Sequence, residues 1–218
     1  MFLLNLKAYP GCVGDGAVRL SHLLEELARS SGVAAAVAPS IPDVGRVAHS
    51  VTIPVLAQHV DPFAPGARTG FVVPEAIQAA GARGSLLNHS EHRLPGPAVA
   101  ETAHRLAGLG LVAVVCAQDV EDARRLAAVR APYLAVEPPE LIGGERSVSS
   151  ARPEVVSGSV DAVRRVAPET EVLCGAGIHT GNDVRRALEL GSRGVLVASA
   201  VTRAADPRAA LTALLSGF

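Results

Sequence analysis

The sequence predicts an α/β protein, a single (β/α)8 barrel with eight parallel strands over residues 1–218, and three observations carry that prediction. Short apolar runs recur eight times, each followed by a polar stretch with helical spacing. The runs are continuously hydrophobic rather than alternating, the pattern of parallel strands buried on both faces. No composition break or Pro/Ser-rich linker divides the 218 residues, a length that suits one large domain. An open doubly wound sheet is the alternative, and it would use fewer strands with helices on two opposite faces.

The elements follow in order. Strand 1 is FLLNL at 2–6, and AVRLSHLLEELARS after it repeats apolar residues every three or four positions. Strand 2 is VAAAVA at 33–38, followed by a short, weakly helical segment at 41–49. Strand 3 is PVLAQHV at 54–60, followed by a second weak segment at 74–81. Strand 4, GSLLNH at 84–89, leads to AVAETAHRLAGLG; strand 5, LVAVVCA at 111–117, leads to DVEDARRLAAV. Strand 6, YLAVE at 133–137, is separated from the helix PEVVSGSVDAVRRV by Pro138–Arg152, the longest connection read as non-helical. Connections of that length in a compact domain are usually functional. Strand 7, EVLCG at 171–175, leads to NDVRRALELG, and strand 8, GVLVAS at 194–199, to DPRAALTALLSG. Several helical stretches stop at Gly, a common C-terminal signal.

Hydrophobic residues make up 49% and aromatics 3%, so the core must be built from Ala, Val and Leu. A net charge of -1 offers no footprint for nucleic acid or an acidic membrane face. No apolar run reaches the length of a membrane span, and MFLL is too short for a signal peptide and lacks a basic leader. The cysteines, Cys12, Cys116 and Cys174, are odd in number and lack metal spacing. Together these features place the chain in a reducing cytoplasm. Of the 20 basic residues, Lys7 is the one lysine.

In such barrels the C-terminal strand ends build the site. Strand 1 ends in Asn5 and Lys7, strand 3 carries Gln58 and His59, strand 4 ends in Asn88 and His89, strand 5 in Cys116, and strand 6 in Glu137. Strands 7 and 8 end in the small-residue turns CGAGI and VASA, where backbone N–H groups at Gly177, Ala198 and Ser199 and the helices that follow could hold an anion. Small residues also serve simply as tight turns. A carboxylate, an imidazole and a cation together can move protons on carbons flanking a carbonyl. Glu137 would take the proton, while His89 and Lys7 would stabilise the enediolate. Singly, each has an ordinary alternative: Glu137 could cap a loop, and His89 could be a satisfied structural residue. Cys116 could tune the base or be a small buried hydrophobe.

Other patterns carry less. GAGIHTG places glycines at 175, 177 and 181, the wrong spacing for a dinucleotide fingerprint. His89 and His92 in HSEH have no third ligand, so no metal is expected. The NHS sequon at Asn88 is read as chance in a cytoplasmic barrel.

NLK, AQHVD, LNHSEHR, EPPELIGG, CGAGIHTG and LVASAVT occur in order over residues 2–210. This set resembles the triosephosphate isomerase family, in particular its short archaeal-type branch, and implies a TIM barrel that uses no cofactor. The resemblance implies interconversion of dihydroxyacetone phosphate and D-glyceraldehyde 3-phosphate, the aldose-ketose step shared by glycolysis and gluconeogenesis. It assigns Asn5 and Lys7 to substrate binding, His89 as electrophile, Glu137 as base, and Glu91 as a buried acid positioning the lysine. Ile142 and Gly143 match phosphate-contacting lid backbone; Gly177, Ala198 and Ser199 match the phosphate turns. It implies a homodimer or homotetramer, and a lid at about 139–149 as the most mobile segment. Four positions depart from the pattern. Gly144 and Glu145 stand in the lid, Ala200 replaces a usual Gly, and His92 replaces the first basic residue before Arg93.

Overall fold

The structure, a computed structural model, describes residues 1–138 and 147–218. Eight parallel strands are present: β1 (Phe2–Asn5), β2 (Ala35–Ala38), β3 (Leu56–Ala57), β4 (Gly84–Leu87), β5 (Val112–Ala117), β6 (Tyr133–Val136), β7 (Glu171–Cys174) and β8 (Gly194–Val197). They pair in the order β2-β1-β8-β7-β6-β5-β4-β3. A parallel bridge between Val37 and Val55, with Val37 N–H donating to the Pro54 carbonyl at 3.0 Å, brings the two ends of that series together. The open doubly wound alternative is thereby set aside.

Alternation along the strands separates two cores. Leu3, Ala36, Ala38, Leu56, Leu86, Val114, Cys116, Ala135, Leu173 and Leu196 fill the barrel interior. Their neighbours, among them Phe2, Leu4, Val37, Val115, Val136 and Val195, pack outward with the helices. Ala36, Ala38 and Ala135 leave the volume that the interior leucines occupy, so the barrel is a packed core rather than a pore.

The helices are α1 (Asp15–Ser31), α2 (Val44–Ala48, preceded by a 3-10 turn at Ile41–Asp43), α3 (Pro74–Ala79), α4 (Gly96–Gly108), α5 (Val120–Ala127), α6 (Val148–Ala151), α7 (Pro153–Val166), α8 (Gly181–Glu189), α9 (Ser199–Thr202) and α10 (Pro207–Leu215). Side chains start several of them. Asp119 accepts from Asp122 N–H, Asp206 from Arg208 and Ala209 N–H, and Thr180 with Asp183 forms a reciprocal capping box at α8. Gly32, with φ 71, closes α1 in the left-handed conformation.

The structure corrects three boundaries. Strand 3 spans two residues rather than seven, because its flanks carry Pro54 and the polar Gln58 and His59. The 138–152 connection contains α6, where the Ser147 side chain accepts from Ser149 N–H; a helix of four residues is too short to leave a periodic signal in the sequence. Of the expected lid at 139–149, residues 139–146 lie outside the described residues. Ser147, Val148 and Ser149, by contrast, are buried. Val148 N–H donates to the Ala176 carbonyl at 3.1 Å, and the Ser149 hydroxyl to the Asp183 carbonyl at 3.1 Å, so this end is anchored to the β7–α8 turn.

Leu173 is fully buried in the barrel interior. Leu173→Ala is expected to lower unfolding stability by about 2–5 kcal/mol through lost transfer energy and the cavity left behind. Chemical denaturation of the two proteins measures it.

Candidate active site

The interior alternation continues past the strand ends and selects the site residues. Leu3 faces inward, so Asn5 and Lys7 follow on the same side; Ala135 is followed by Glu137, Leu56 by Gln58, and Leu173 by Gly175. Asn5, Lys7, Tyr9, His89, Glu137, Gly175, Gly177, Ile178, Leu196, Val197, Ala198 and Ser199 line one cavity at the C-terminal ends of the strands. All expected site residues within the described segments except Glu91 therefore meet there. Ile142 and Gly143, like the departures Gly144 and Glu145, lie outside the described residues.

Lys7 is held in an unusual backbone conformation, φ 51, one of three non-glycine residues with positive φ among those described. The side chain of Asn5 accepts from Lys7 N–H at 2.9 Å. The Gln58 amide donates to the Lys7 carbonyl and to the Ala38 carbonyl, both at 3.0 Å. Both ends of the Lys7 backbone are thus fixed by side chains at the ends of β1 and β3. The ammonium then pairs with Glu91 Oε1 at 2.6 Å. The resemblance implies a buried Glu91, and the structure corrects this: its side chain is 58% exposed against 13% for Lys7. It lies in the turn after β4, where the carboxylate reaches the lysine from the solvent side.

Asn88 also has positive φ, 61, and this left-handed residue breaks the strand alternation so that His89 lines the cavity. The Asn88 amide donates to the Cys116 carbonyl at 2.9 Å and its oxygen accepts from Leu94 N–H at 3.1 Å. A buried, doubly bonded Asn88 is a structural pin rather than a glycan acceptor. Glu91 N–H donates to His89 Nδ1 at 3.2 Å. In the neutral ring an accepting Nδ1 leaves the proton on Nε2, which faces Glu137 Oε1 at 3.5 Å.

Glu137 is 3% exposed, and its N–H donates to the Ala117 carbonyl at 2.7 Å. Its Oε2, like the Ser90 hydroxyl, is buried without a hydrogen-bond partner among the described residues. Beside it, burial first and the Glu137 carboxylate second push the Cys116 thiol well above its ordinary value. Cys116 is both a filler of the barrel interior and a neighbour of the carboxylate.

Opposite these groups, Gly177 has φ 66, a conformation that suits glycine. After β8, Val201 and Thr202 N–H turn back to the Ala198 carbonyl. The Ser199 and Ala200 N–H groups have no acceptor among the described residues. Ala200 sits in α9 with ordinary negative φ, so the alanine is accommodated there. His92 stacks on His59, ring centroids 3.7 Å apart, and Arg93 pairs with Asp122 at 3.6 Å within the same chain. Burial lowers the His59 imidazole from its usual value, while Asp61 at 3.3 Å pulls the other way. No cluster of three metal-ligating side chains occurs among the described residues.

All three cysteines are free and buried, and burial pushes Cys174 up to about 12. A raised value keeps a thiol protonated and unreactive. A disulfide exchange reagent at neutral pH is therefore expected to find no fast-reacting thiol in the native protein and three after denaturation.

The family model for triosephosphate isomerase matches residues 1–215. The triosephosphate isomerase of Methanosarcina acetivorans is 46% identical over 213 residues, covering 98% of this chain and 96% of that protein. That of Methanothermus fervidus is 43% identical over 216 residues, covering 99% and 97%. That of Methanothermobacter thermautotrophicus is 45% identical over 214 residues, covering 98% and 93%. With eight parallel strands in a barrel, a lysine, histidine and glutamate facing one cavity, and a match along nearly its whole length, the chain belongs to the triosephosphate isomerase family.

Proposed function

We propose that the chain interconverts dihydroxyacetone phosphate and D-glyceraldehyde 3-phosphate through an enediolate and without a cofactor, a reading in keeping with the triosephosphate isomerase name of its relatives. The observation that carries this reading is the facing of Glu137 and His89 across 3.5 Å, inside a cavity that also holds Lys7. Glu137 takes a proton from the carbon beside the substrate carbonyl and returns it to the former carbonyl carbon, while the hydroxyl proton passes from one substrate oxygen to the other by way of His89, so the base is regenerated and no atom is gained or lost. His89 Nε2–H donates to the oxygen on which negative charge grows. Use of a neutral histidine beside a glutamate base is the established pattern of this family. Here the Glu91 N–H bond to Nδ1 supports it.

Lys7 stabilises the enediolate and binds substrate with Asn5. Glu91 positions the ammonium from the solvent side. The phosphate is assigned to Gly177, Ala198 and Ser199, where the Ser199 and Ala200 N–H groups, without an acceptor among the described residues, support an anion site. Ile142 and Gly143 complete it as lid backbone in this reading.

The same reading assigns self-association as a homodimer or homotetramer. A second cavity beside Lys7, lined by Gln58, His59, Phe71 and His92, and the 51% exposure of Phe71 support an interface there. Neither nucleic acid nor membrane is a partner in this reading. No helix among the described residues is long and apolar enough to cross a membrane. Three free thiols fit a reducing compartment, the cytoplasm.

A coupled assay on the purified protein is the decisive experiment, and wild-type protein at background rate would defeat the reading. Glu137→Gln is expected to lower kcat by roughly 10²–10⁴-fold without unfolding the protein. Lys7→Arg should keep the fold and lower kcat/KM at least about 100-fold, because a planar fork cannot replace a compact ammonium in the same space. Light scattering is expected to return an even multiple of the protomer mass.

A further inference from the structure

We infer that Gly175 is a positioning residue for Glu137: the absence of a side chain at 175 forms the shelf on which the stem of the carboxylate rests. The inference rests on the reading of Glu137 as the base. A Cβ built on Gly175 would lie 2.5 Å from Glu137 Cγ, 3.3 Å from its Cδ and 3.2 Å from the Val136 carbonyl oxygen. Contacts of 2.5 Å do not occur between carbons that are not bonded, so any larger residue must displace the glutamate.

The backbone itself does not ask for glycine there. Gly175 is absent from the positive-φ positions, whereas Gly177, two residues on, has φ 66. One of the two glycines in this turn is thus explained by conformation and the other by contact. The shelf is also fixed to what it supports. Gly175 N–H donates to the Val136 carbonyl at 2.9 Å, directly before Glu137, and Val136 is in register with Cys174. Strand 7 and strand 6 therefore cannot slide apart to admit a methyl group without breaking the ladder.

Nor can the side chain retreat freely. Glu137 is 3% exposed, with His89 at 3.5 Å on one side and the buried Cys116 thiol on another.

Two measurements test this together. Gly175→Ala is expected to lower kcat about 100-fold, the scale of a misplacement near 1 Å, with a much smaller change in KM, since Gly177 and the turn after β8 keep their residues. It should also lower Tm by roughly 5 °C in the wild-type background and by less than half as much in Glu137→Ala, where the methyl group no longer meets the stem. A kcat within twofold of wild type overturns the proposal. So does an equal Tm loss in both backgrounds, which would place the clash on the Val136 carbonyl. If Gly175→Ala fails to fold, recovery of a folded Gly175→Ala/Glu137→Ala protein supports the shelf and failure of both refutes it. The Tm comparison reads the contact whatever the activity, so a wild-type protein without isomerase activity would defeat the proposed function alone.

Discussion

The active face of this barrel depends on one constraint: strand residues alternate sides, and in a closed ring all the inward positions of eight strands point at the same axis. Below the rim those positions hold Leu3, Leu56, Ala135 and Leu173; one step further they hold Asn5, Gln58, Glu137 and Gly175. The change from filler to chemistry takes one residue pair per strand. Packing density below the rim is therefore what holds the polar groups above it, and the small Ala135 beneath Glu137 is as much a part of the site as the carboxylate.

Two residues at the strand ends leave the extended backbone conformation, and both lie at the cavity. Lys7 and Asn88 adopt left-handed backbone at the ends of β1 and β4, a conformation that costs of order 1 kcal/mol or more outside glycine. Each is held by side-chain hydrogen bonds to or from the main chain, Asn5 and Gln58 for the first, the residue's own amide for the second. The lysine's charge is oriented by its strained backbone, and the histidine's tautomer by the turn that the strained asparagine begins.

The strands and the residues Asn5, Lys7, His89 and Glu137 were legible because apolar runs and the polar residues ending them are local signals. The four-residue helices α6 and α9 were not, since one turn has no period to detect. Strand 3 was overextended because PVLAQHV looks β-rich, although pairing lasts for two residues. Exposure of Glu91 depends on where a turn sits relative to solvent, which no spacing reveals. Gln58 was visible as a polar strand end but not as a support for Lys7, and the contact of Gly175 joins residues 38 positions apart in sequence. Both stand an even number of residues from inward-facing leucines, Leu56 and Leu173, so strand alternation alone marks them as inward-facing.

The junction of β2 and β3 is the weakest part of the ring, with a bridge where the other neighbours have a ladder. The side-chain amide of Gln58 spans its upper end, reaching the Ala38 carbonyl that also accepts from Leu6 N–H. The hoop is thus fastened at its thinnest point by a clasp that simultaneously grips the carbonyl of Lys7. One side-chain amide therefore joins the seam of the ring to the backbone of the one lysine that faces the cavity.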